Sequence, residues 1–333
     1  MHDAFYEVKA ENNFELGLKL GHIFKDDLTE AIKQKSKNKT WQARKSNSKN
    51  FLGITKKHFS NYIEELRGYA KGANVSFEDL WVLTVGAELD DITEEKCTSV
   101  FTNKGNLIGA TEDCFAEVKD ELYVLKKTIK NLTILELYYS YSLGGDSISI
   151  NSNGYVQTIN TLVHTDHQIG IPRNIIGRWL SETNNPVKDY KKLKPLKRSS
   201  GYSHTLTSKN NVIYNIELTA GKSILTKNKN LFVHTNHYLS KLRNMQAPNA
   251  LTGVCTGSAE RYELAINNVR SEMSVNEMKN LLTNKSKGKE NSIFNERTIG
   301  RIVVDLEKKR CFIWLLREKQ KSWVEYSLDF IKN

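Results

Sequence analysis

The sequence has little of several features that mark specialised classes of protein. Only 4 of its 333 residues are proline and 19 are glycine, which excludes collagen and proline-rich disordered chains. No apolar run approaches the roughly 18–20 residues of a membrane span, so no membrane association is expected. Residues 1–17 lack an apolar stretch after a basic start, so we expect no signal peptide. The remaining composition, 39% hydrophobic and 26% charged, is that of a globular protein with a real core.

Cysteine is also scarce. The four cysteines form neither a CxxC pair nor a zinc-like spacing. In a chain without a signal peptide, this usage indicates reduced thiols and a cytoplasmic location. Most free cysteines are small buried residues, so at least three of the four should be buried. The four are Cys97, Cys114, Cys255 and Cys311.

Positive charge is in excess, because 49 basic residues stand against 38 acidic ones and give a net charge of +11. Such a balance is compatible with nucleic acid, anionic lipid or acidic ligands. Lysine greatly outnumbers arginine, and aromatic residues do not alternate with basic ones in the pattern of an RNA-binding platform. We therefore expect no nucleic-acid partner. A basic rim that attracts a phosphate-bearing or carboxylate substrate fits equally well.

The order of helix and strand signals predicts an α+β protein of stacked layers. Helical signals come first, strands dominate from residue 97, and helices and a final hairpin follow. This order differs from a regular βαβ repeat. The basic residues 188–198 are predicted to form a surface loop. Predicted helices cover 55–71, 77–89, 175–180, 258–269 and 274–282, and predicted strands cover 97–102, 107–111, 123–129, 132–141, 147–150, 155–162, 204–207, 212–218, 231–234, 299–306 and 310–316.

Two motifs that resemble functional sites fail a geometric test. Residues 220–223 end like a phosphate-binding loop, but Ile216 stands where that loop needs glycine. The HTDH and HTNH runs at 164–167 and 234–237 look like metal-binding pairs. Histidines three residues apart point to opposite faces of a strand, and both runs lie in strand-like contexts. We expect structural or surface histidines and no metal.

Cys97 is the strongest candidate for a reactive residue. The plain alternative is a buried strand cysteine. Against it, residues 90–96 are polar and charged, which places Cys97 at an accessible boundary, and Thr98 and Ser99 follow. The predicted strand-turn-strand segment that starts at Cys97 then brings Asp113 alongside Cys97.

These residues resemble a known family. The KCTS run at 96–99, with GNLIGATED at 105–113, resembles the nucleophile hairpin of the acyl-coenzyme A:isopenicillin N acyltransferase family. Its members are N-terminal-nucleophile hydrolases, made as precursors that cleave themselves before a cysteine. The resemblance covers nearly the whole chain. Further matching segments, in order, are 14–17 with Gly21, 65–72, 76–80, 153–154, 170–172, 231–237, and Ser258 with Arg261.

The resemblance implies a four-layer αββα sandwich. Residues 1–96 would become a small subunit that stays bound, and 97–333 the large catalytic subunit, within one domain. Cleavage between Lys96 and Cys97 would make Cys97 both the nucleophile and the new N-terminus. No metal or organic cofactor is needed. The expected substrate is a small-molecule amide or acyl thioester, and acyl-coenzyme A would suit as an acyl donor.

The resemblance also assigns the other site residues. Asn236 would help to form the oxyanion hole, and Asp113 would line the site and orient the cysteine or the substrate. The family's arginine before the late strand matches Asn295 here, with Arg297 two residues on as a substrate-binding candidate. Thr111, a second such candidate, stands where the penicillin enzyme has asparagine.

The implied chemistry is physically sound, because a free α-amine has a pKa of about 7.7–8.0 and can take the thiol's proton near neutral pH. Three questions stay open. The acyl-enzyme could pass its acyl group to water or to an amine. The chain could be a non-catalytic basic binding protein on the same scaffold. It could also be a conventional cysteine enzyme without self-cleavage, with His234 or His237 as its base.

Overall fold

The structure, a computed structural model, describes residues 1–89, 96–248, 250 and 255–332. The helices are α1 Asn13–Ile23, α2 Lys25–Ser36, α3 Trp41–His58, α4 Ser60–Ala73, α5 Phe77–Thr84, α6 Gly86–Leu89, α7 Arg173–Leu180, α8 Pro186–Leu193, α9 Ser258–Asn268, α10 Val275–Leu281 and α11 Gly288–Asn291. The strands are β1 Phe5–Ala10, β2 Lys96–Thr102, β3 Leu107–Asp113, β4 Leu122–Ile129, β5 Leu132–Tyr139, β6 Ser149–Asn151, β7 Val156–Thr161, β8 Tyr202–Thr207, β9 Ile213–Leu218, β10 Ser223–Asn228, β11 Phe232–His234, β12 Thr298–Asp305, β13 Arg310–Leu315 and β14 Val324–Ser327.

Two sheets stack face to face between two layers of helices. One sheet has eight strands in the order β1-β4-β5-β6-β7-β8-β9-β10, and the other has six in the order β11-β2-β3-β12-β13-β14. Leu137 of the first sheet and Ile302 of the second belong to one buried apolar cluster. On the outer side of the eight-stranded sheet, Phe24 packs on Tyr123 and Tyr138. The expected αββα sandwich is therefore confirmed.

The fourth layer is formed by α9 and α10 on the outer side of the six-stranded sheet. Leu264 of α9 and Met278 of α10 share a second apolar cluster with Val100 and Val303. Because side chains alternate along a strand, each strand of this sheet sends one set of residues to the sheet interface and the other set to α9 and α10. This alternation decides which side chains meet around Cys97.

The N-terminal part of the chain is more than a helical layer. Its first strand, β1, was missed in the sequence and pairs in parallel with β4, so the eight-stranded sheet contains a strand from before Cys97. Glycines then let α1 and α4 touch backbone to backbone. A Cβ atom on Gly17 would lie 1.8 Å from the Glu65 carbonyl oxygen, and one on Gly68 would lie 2.0 Å from that of Phe14. These contacts explain why glycine recurs in both segments.

Most predicted elements are present, and a few need correction. The predicted loop at 188–198 is wrong, since α8 covers its first half. Asn185 caps that helix by accepting a hydrogen bond from the Lys188 amide at 3.0 Å, and Pro186 occupies the first turn, where no amide donor is needed. The predicted helix at 55–71 is interrupted at Phe59. The predicted hairpin of β2 and β3 is confirmed, and Ser76 caps α5, which begins where the predicted helix at 77–89 begins.

Buried ion pairs tie the N-terminal segment to the rest of the chain. The guanidinium of Arg178 on α7 lies 3.3 Å from Glu65 on α4 and 2.6 Å from Glu182, and the Tyr62 hydroxyl donates to Glu182 at 2.9 Å. Lys127 and Glu136, on adjacent strands, are 2.5 Å apart and fully buried. Among the described residues, no helix is long and apolar enough to cross a membrane.

Candidate active site

Cys97 is the second residue of β2, which lies inside the six-stranded sheet between β11 and β3. Its side chain is buried, at 7% exposure. The antiparallel register sets Cys97 opposite Glu112 and Lys96 opposite Asp113. Residues 90–95, on which the prediction of an accessible boundary rests, lie outside the described residues. All four cysteines are free thiols; Cys97, Cys255 and Cys311 are buried and Cys114 is half-buried.

The register places Cys97 and Asp113 on different faces of the hairpin. Directly opposed residues share a face and neighbours along a strand alternate, so Cys97 goes with Glu112 and Asp113 goes with Lys96. Glu112 faces the other sheet, where its carboxylate accepts hydrogen bonds from Tyr139 at 2.9 Å and from Ser147. Asp113 faces the α9 side. Asp113 and the Cys97 side chain therefore lie on adjacent strands but on opposite faces of the sheet.

Asn236 hydrogen-bonds directly to the backbone of Cys97. Its Oδ1 accepts a hydrogen bond from the Cys97 nitrogen at 3.0 Å and another from Arg261 Nη2 at 2.7 Å. Its Nδ2 donates to the Thr161 carbonyl at 3.1 Å. Because a guanidinium only donates, these bonds fix the side-chain amide with its oxygen towards Cys97. One of the two Nδ2 hydrogens of Asn236 is thus already bonded to the Thr161 carbonyl. A role in the oxyanion hole would require the second hydrogen.

Asp113 is fully buried in a net of neutral donors. Its Oδ2 accepts from Asn295 Nδ2 at 3.0 Å and from Thr111 Oγ1 at 3.2 Å. Thr111 in turn accepts from the Thr98 amide at 3.1 Å, which links the carboxylate to the residue after Cys97. Burial raises the pKa of Asp113 above its ordinary value, although Arg261 and the hydrogen bonds act in the opposite direction.

Arg261, on α9, is a central site residue whose role the sequence did not reveal. Its side chain is fully buried, and its Nη1 also donates to the Thr256 carbonyl at 3.1 Å. Burial lowers the pKa of Arg261, while Asp113 and the thiols of Cys255 and Cys97 act to raise it. The signal available in the sequence was the spacing of Ser258 and Arg261. That spacing places both residues in the first turn of α9. There Ser258 Oγ accepts a hydrogen bond from the backbone nitrogen of Asn236 at 2.8 Å.

Lys96, the residue before Cys97, is buried beside the same cation. Its Nζ donates to Thr256 Oγ1 at 2.6 Å. Burial lowers the pKa of Lys96, and the positive charges of Arg261 and Arg297 lower it further. The peptide bond between Lys96 and Cys97 therefore has a buried lysine on one side and the Asn236 oxygen on the other.

The two predicted substrate-binding residues lie in different settings. Thr111 is buried, and its hydroxyl is engaged by Thr98 and Asp113. Arg297 is half-buried, with its guanidinium 4.6 Å from the centre of the Phe115 ring. Asn295, at the position that matched the family's arginine, is the residue that reaches Asp113. The structure thus brings Asn236 to the Cys97 nitrogen, holds Asp113 and Thr111 together on the other face of the hairpin, and places the Arg297 guanidinium over the Phe115 ring.

The histidines have other hydrogen-bond partners. His234 places Nε2 3.0 Å from Glu217 and Nδ1 2.6 Å from the Thr235 carbonyl. His237 Nδ1 is 2.8 Å from Ser258 Oγ, and burial lowers the pKa of His237 to about 4. His164 lies 2.8 Å from Asp166. In the described part of the chain, no three histidine, cysteine or acidic residues are grouped so that they could hold a metal ion.

Comparison with known proteins identifies the family. A family model described as acyl-coenzyme A:6-aminopenicillanic acid acyl-transferase matches residues 100–319, which is more than half of the chain. The chain belongs to this family. The match covers β3, the Asn236 segment, α9 and β12, and it begins three residues after Cys97. The resemblance found in the sequence is therefore confirmed, while the assignment of Cys97 rests on its position next to the matched region.

Two relatives of known function match part of the chain. The β-alanyl-dopamine/carcinine hydrolase of Drosophila melanogaster is 28% identical over 218 residues, which are 57% of this chain and 54% of that protein. The 40 kDa form of the acyl-coenzyme A:6-aminopenicillanic-acid-acyltransferase of Emericella nidulans is 25% identical over 195 residues, covering 56% of this chain and 54% of that protein. The chain thus spans about half the length of each. One relative is named a hydrolase and the other an acyltransferase.

Solved structures with some likeness to this chain include two bacterial hydrolytic enzymes. A mutant conjugated bile acid hydrolase from Clostridium perfringens has a TM-score of 0.45 at 13% identity, with 72% of this chain and 93% of that one covered. Penicillin V acylase from Agrobacterium tumefaciens has a TM-score of 0.38 at 11% identity, with 66% and 83% covered.

Proposed function

We propose that this chain is a self-processing amide hydrolase or acyltransferase with Cys97 as its N-terminal nucleophile. The observation that carries the proposal is the hydrogen bond from the Cys97 nitrogen to Asn236 Oδ1, an oxygen that Arg261 clamps from the other side. A catalytic α-amine needs an acceptor that holds it in place, and here an acceptor already holds the nitrogen that cleavage would free. An ordinary core cysteine has no need of this arrangement.

Self-cleavage would begin at the bond between Lys96 and Cys97. The Cys97 sulfur attacks the Lys96 carbonyl carbon, the bond from that carbon to the Cys97 nitrogen breaks, and the thiol proton ends on the nitrogen. The product is a thioester between Lys96 and Cys97 and a free α-amine. Water then hydrolyses the thioester, which gives a carboxylate on Lys96 and returns the Cys97 thiol.

Turnover would use the same two atoms. The α-amine takes the thiol proton, and the thiolate attacks the carbonyl carbon of an amide or thioester substrate. The second amide hydrogen of Asn236 is available to the developing oxyanion, and a donor of this kind contributes roughly 3–4 kcal/mol in well-studied sites. The leaving amine or thiol takes the proton from the α-ammonium. Water or an acceptor amine then releases the acyl group, so no metal or organic cofactor is required.

The fragment 1–96 would remain bound after cleavage. Its strand β1 pairs with β4 of the other fragment, its Phe24 packs on Tyr123 and Tyr138, and its Glu65 is paired with Arg178. None of these contacts depends on the peptide bond between Lys96 and Cys97. We therefore propose a permanent pair of small and large subunits, 1–96 and 97–333.

A small-molecule amide is the proposed substrate class. The relative named β-alanyl-dopamine/carcinine hydrolase makes β-alanyl amides the first compounds to try, and the relative named an acyltransferase makes acyl-coenzyme A the first thioester. The conventional cysteine–histidine alternative is less well supported. Both ring nitrogens of His234 are engaged elsewhere, and a His237 with a pKa of about 4 is a weak base at neutral pH.

The test is the intact mass of the purified protein under denaturing conditions, for the wild type, Cys97→Ala and Cys114→Ala. Cys114 is a nearby, half-buried cysteine one residue after Asp113 and serves as the matched control. We expect two fragments that meet between Lys96 and Cys97 in the wild type and in Cys114→Ala, and one uncut chain in Cys97→Ala. An uncut wild-type chain after long incubation would contradict self-processing and favour a binding protein or a conventional cysteine enzyme.

A further inference from the structure

Arg261 fixes a positive charge beside the proposed nucleophile. Its side chain is 0% exposed, and its two terminal nitrogens donate to Asn236 Oδ1 and to the Thr256 carbonyl at 2.7 and 3.1 Å. A guanidinium retains its proton in proteins, so this charge persists over the whole pH range of the enzyme.

The Cys97 nitrogen shares its acceptor with this guanidinium. Cys97 N and Arg261 Nη2 both donate to Asn236 Oδ1, at 3.0 and 2.7 Å, so the two nitrogens cannot be further apart than the sum of those bonds. In the uncut chain the Cys97 nitrogen is a neutral amide. Once it becomes an amine, its protonated form would place a second positive charge at that distance, where like charges repel strongly in a protein interior.

We infer that Arg261 is a positioning residue with two tasks: it holds the Asn236 oxygen towards the Cys97 nitrogen, and its charge keeps the released α-amine in the neutral form that can act as a base. The inference rests on the proposed function, because only cleavage before Cys97 creates that amine. An ammonium has no lone pair with which to take the thiol proton, so its suppression near neutral pH increases the active fraction. The same positive charge stabilises the thiolate that proton transfer produces.

Other charged groups also surround Cys97, and they act in both directions. Asp113 opposes Arg261, but its carboxylate is on the other face of the hairpin and is held by Asn295 and Thr111. Arg261 differs from the rest because it shares a hydrogen-bond acceptor with the nitrogen itself. Among the residues that the structure describes, these groups include Glu112 and Asp113 on β3, Lys96 on β2 with the carboxylate that cleavage creates on it, Arg297 before β12, Glu260 on α9, Glu290 on α11, Cys255 before α9 and His237 after β11.

The experiment is the pH dependence of kcat/KM for an amide substrate, with wild type, Arg261→Gln, Arg261→Lys and Arg270→Gln. Arg270 lies just past the end of α9, is exposed, and loses the same charge in the control. We expect Arg261→Gln to move the acid midpoint up by about one pH unit, which gives a loss that approaches about tenfold well below the midpoint, beyond any loss on the plateau. Arg261→Lys should restore the wild-type acid midpoint but not the wild-type plateau value of kcat/KM. The control, Arg270→Gln, should keep the wild-type midpoint and plateau.

A loss of plateau activity in Arg261→Gln with an unchanged midpoint would overturn the inference, since a merely structural residue behaves in that way. A second measurement does not depend on the folding of variants. In wild-type protein labelled with 15N-cysteine, the freed amine gives a resonance distinct from the other three cysteines, and we expect it to titrate below pH 7.7. Cut, active protein whose amine titrates at 8 or above would overturn this inference alone. A chain that is never cut would overturn it together with the proposed function.

Discussion

Two buried groups of charges in this molecule are built in opposite ways. The first, the interface cluster, consists of Glu65, Lys127, Glu136, Arg178 and Glu182. The second, the site cluster, consists of Lys96, Cys97, Asp113, Asn236 and Arg261. In the interface cluster opposite charges touch directly, as in the 2.5 Å pair of Lys127 and Glu136. In the site cluster the opposite charges of Asp113 and Arg261 hydrogen-bond instead to neutral amides, hydroxyls and a carbonyl.

The two buried arginines show what the difference means. Burial works against the charge of both. For Arg178 the carboxylates of Glu65 and Glu182 outweigh burial and raise the pKa, whereas for Arg261 burial prevails and lowers it. A charge that is fully matched by its partners stabilises an assembly. A charge that is left partly unmatched retains the capacity to act on another group, and here the Cys97 nitrogen shares a hydrogen-bond acceptor with that charge.

The comparison predicts a large loss of stability when the interface cluster is broken. Arg178→Met leaves Glu65 buried without its cation, and breaking a buried pair in this way costs about 3–5 kcal/mol. The measurement is urea unfolding in a Cys97→Ala background, which keeps the chain uncut if Cys97 is the nucleophile. Arg67→Met removes an exposed partner of Glu64 on the same helix and should change the free energy of unfolding by less than about 1 kcal/mol. Equal losses of unfolding free energy in Arg178→Met and Arg67→Met would contradict a special contribution of the interface cluster to stability.

A second prediction tests the packing of α1 on α4 in the N-terminal layer with a substitution that changes no charge. Gly68→Ala places a Cβ atom against the Phe14 carbonyl, so α1 and α4 must separate, and we expect a loss of about 1–3 kcal/mol. Gly53→Ala is the matched control, because a Cβ there has nothing within 4 Å. At that exposed helical position alanine should stabilise the protein by about 0.5–1 kcal/mol. Unfolding curves that shift in the same direction for both variants would contradict backbone contact between the helices.

The sequence predicted much of this arrangement because several of its signals are local. The β2–β3 hairpin follows from a turn signal between two runs of β-forming residues, and Ser76 announces a helix by its side-chain chemistry. The family resemblance supplied what local signals could not. It predicted the four-layer sandwich and assigned Asn236 to the oxyanion hole. The matching glycines in α1 and α4 were visible as a motif, although only the structure shows that they meet each other.

The missed features depend on contacts between distant segments. β1 carries no strand signal strong enough to separate it from the helical region, and it becomes a strand because β4 offers an edge. Which of Glu112 and Asp113 shares a face with Cys97 depends on register, which a change of one residue would invert. Arg261 lies 164 positions after Cys97, and no spacing rule could place its guanidinium on the oxygen that also holds the Cys97 nitrogen.

The smallest expected effect has the opposite sign and tests the site cluster itself. Asp113→Asn, again in the Cys97→Ala background, should raise the free energy of unfolding at pH 7, on the order of 1 kcal/mol. The reason is that burial raises the pKa of Asp113, so the folded protein holds the carboxylate less favourably than the unfolded chain does, even with Arg261 nearby. In a chain with Cys97 intact, the same substitution should slow self-cleavage, which would mark Asp113 as a residue retained for function at the expense of stability.

The sign of this effect fixes its pH dependence. A carboxyl group whose pKa is raised on folding destabilises the protein above that pKa, and the penalty fades as the pH falls through it. The difference between Asp113→Asn and its parent should therefore narrow on acidification and vanish below the ordinary value of 3.8, where both states bind the proton. Asp120→Asn, which removes the same charge at an exposed aspartate, serves as the control. If Asp113→Asn instead lost several kcal/mol at pH 7, as expected for Arg178→Met, the site cluster would be a cohesive ion pair like the interface cluster, and the contrast between them would fail.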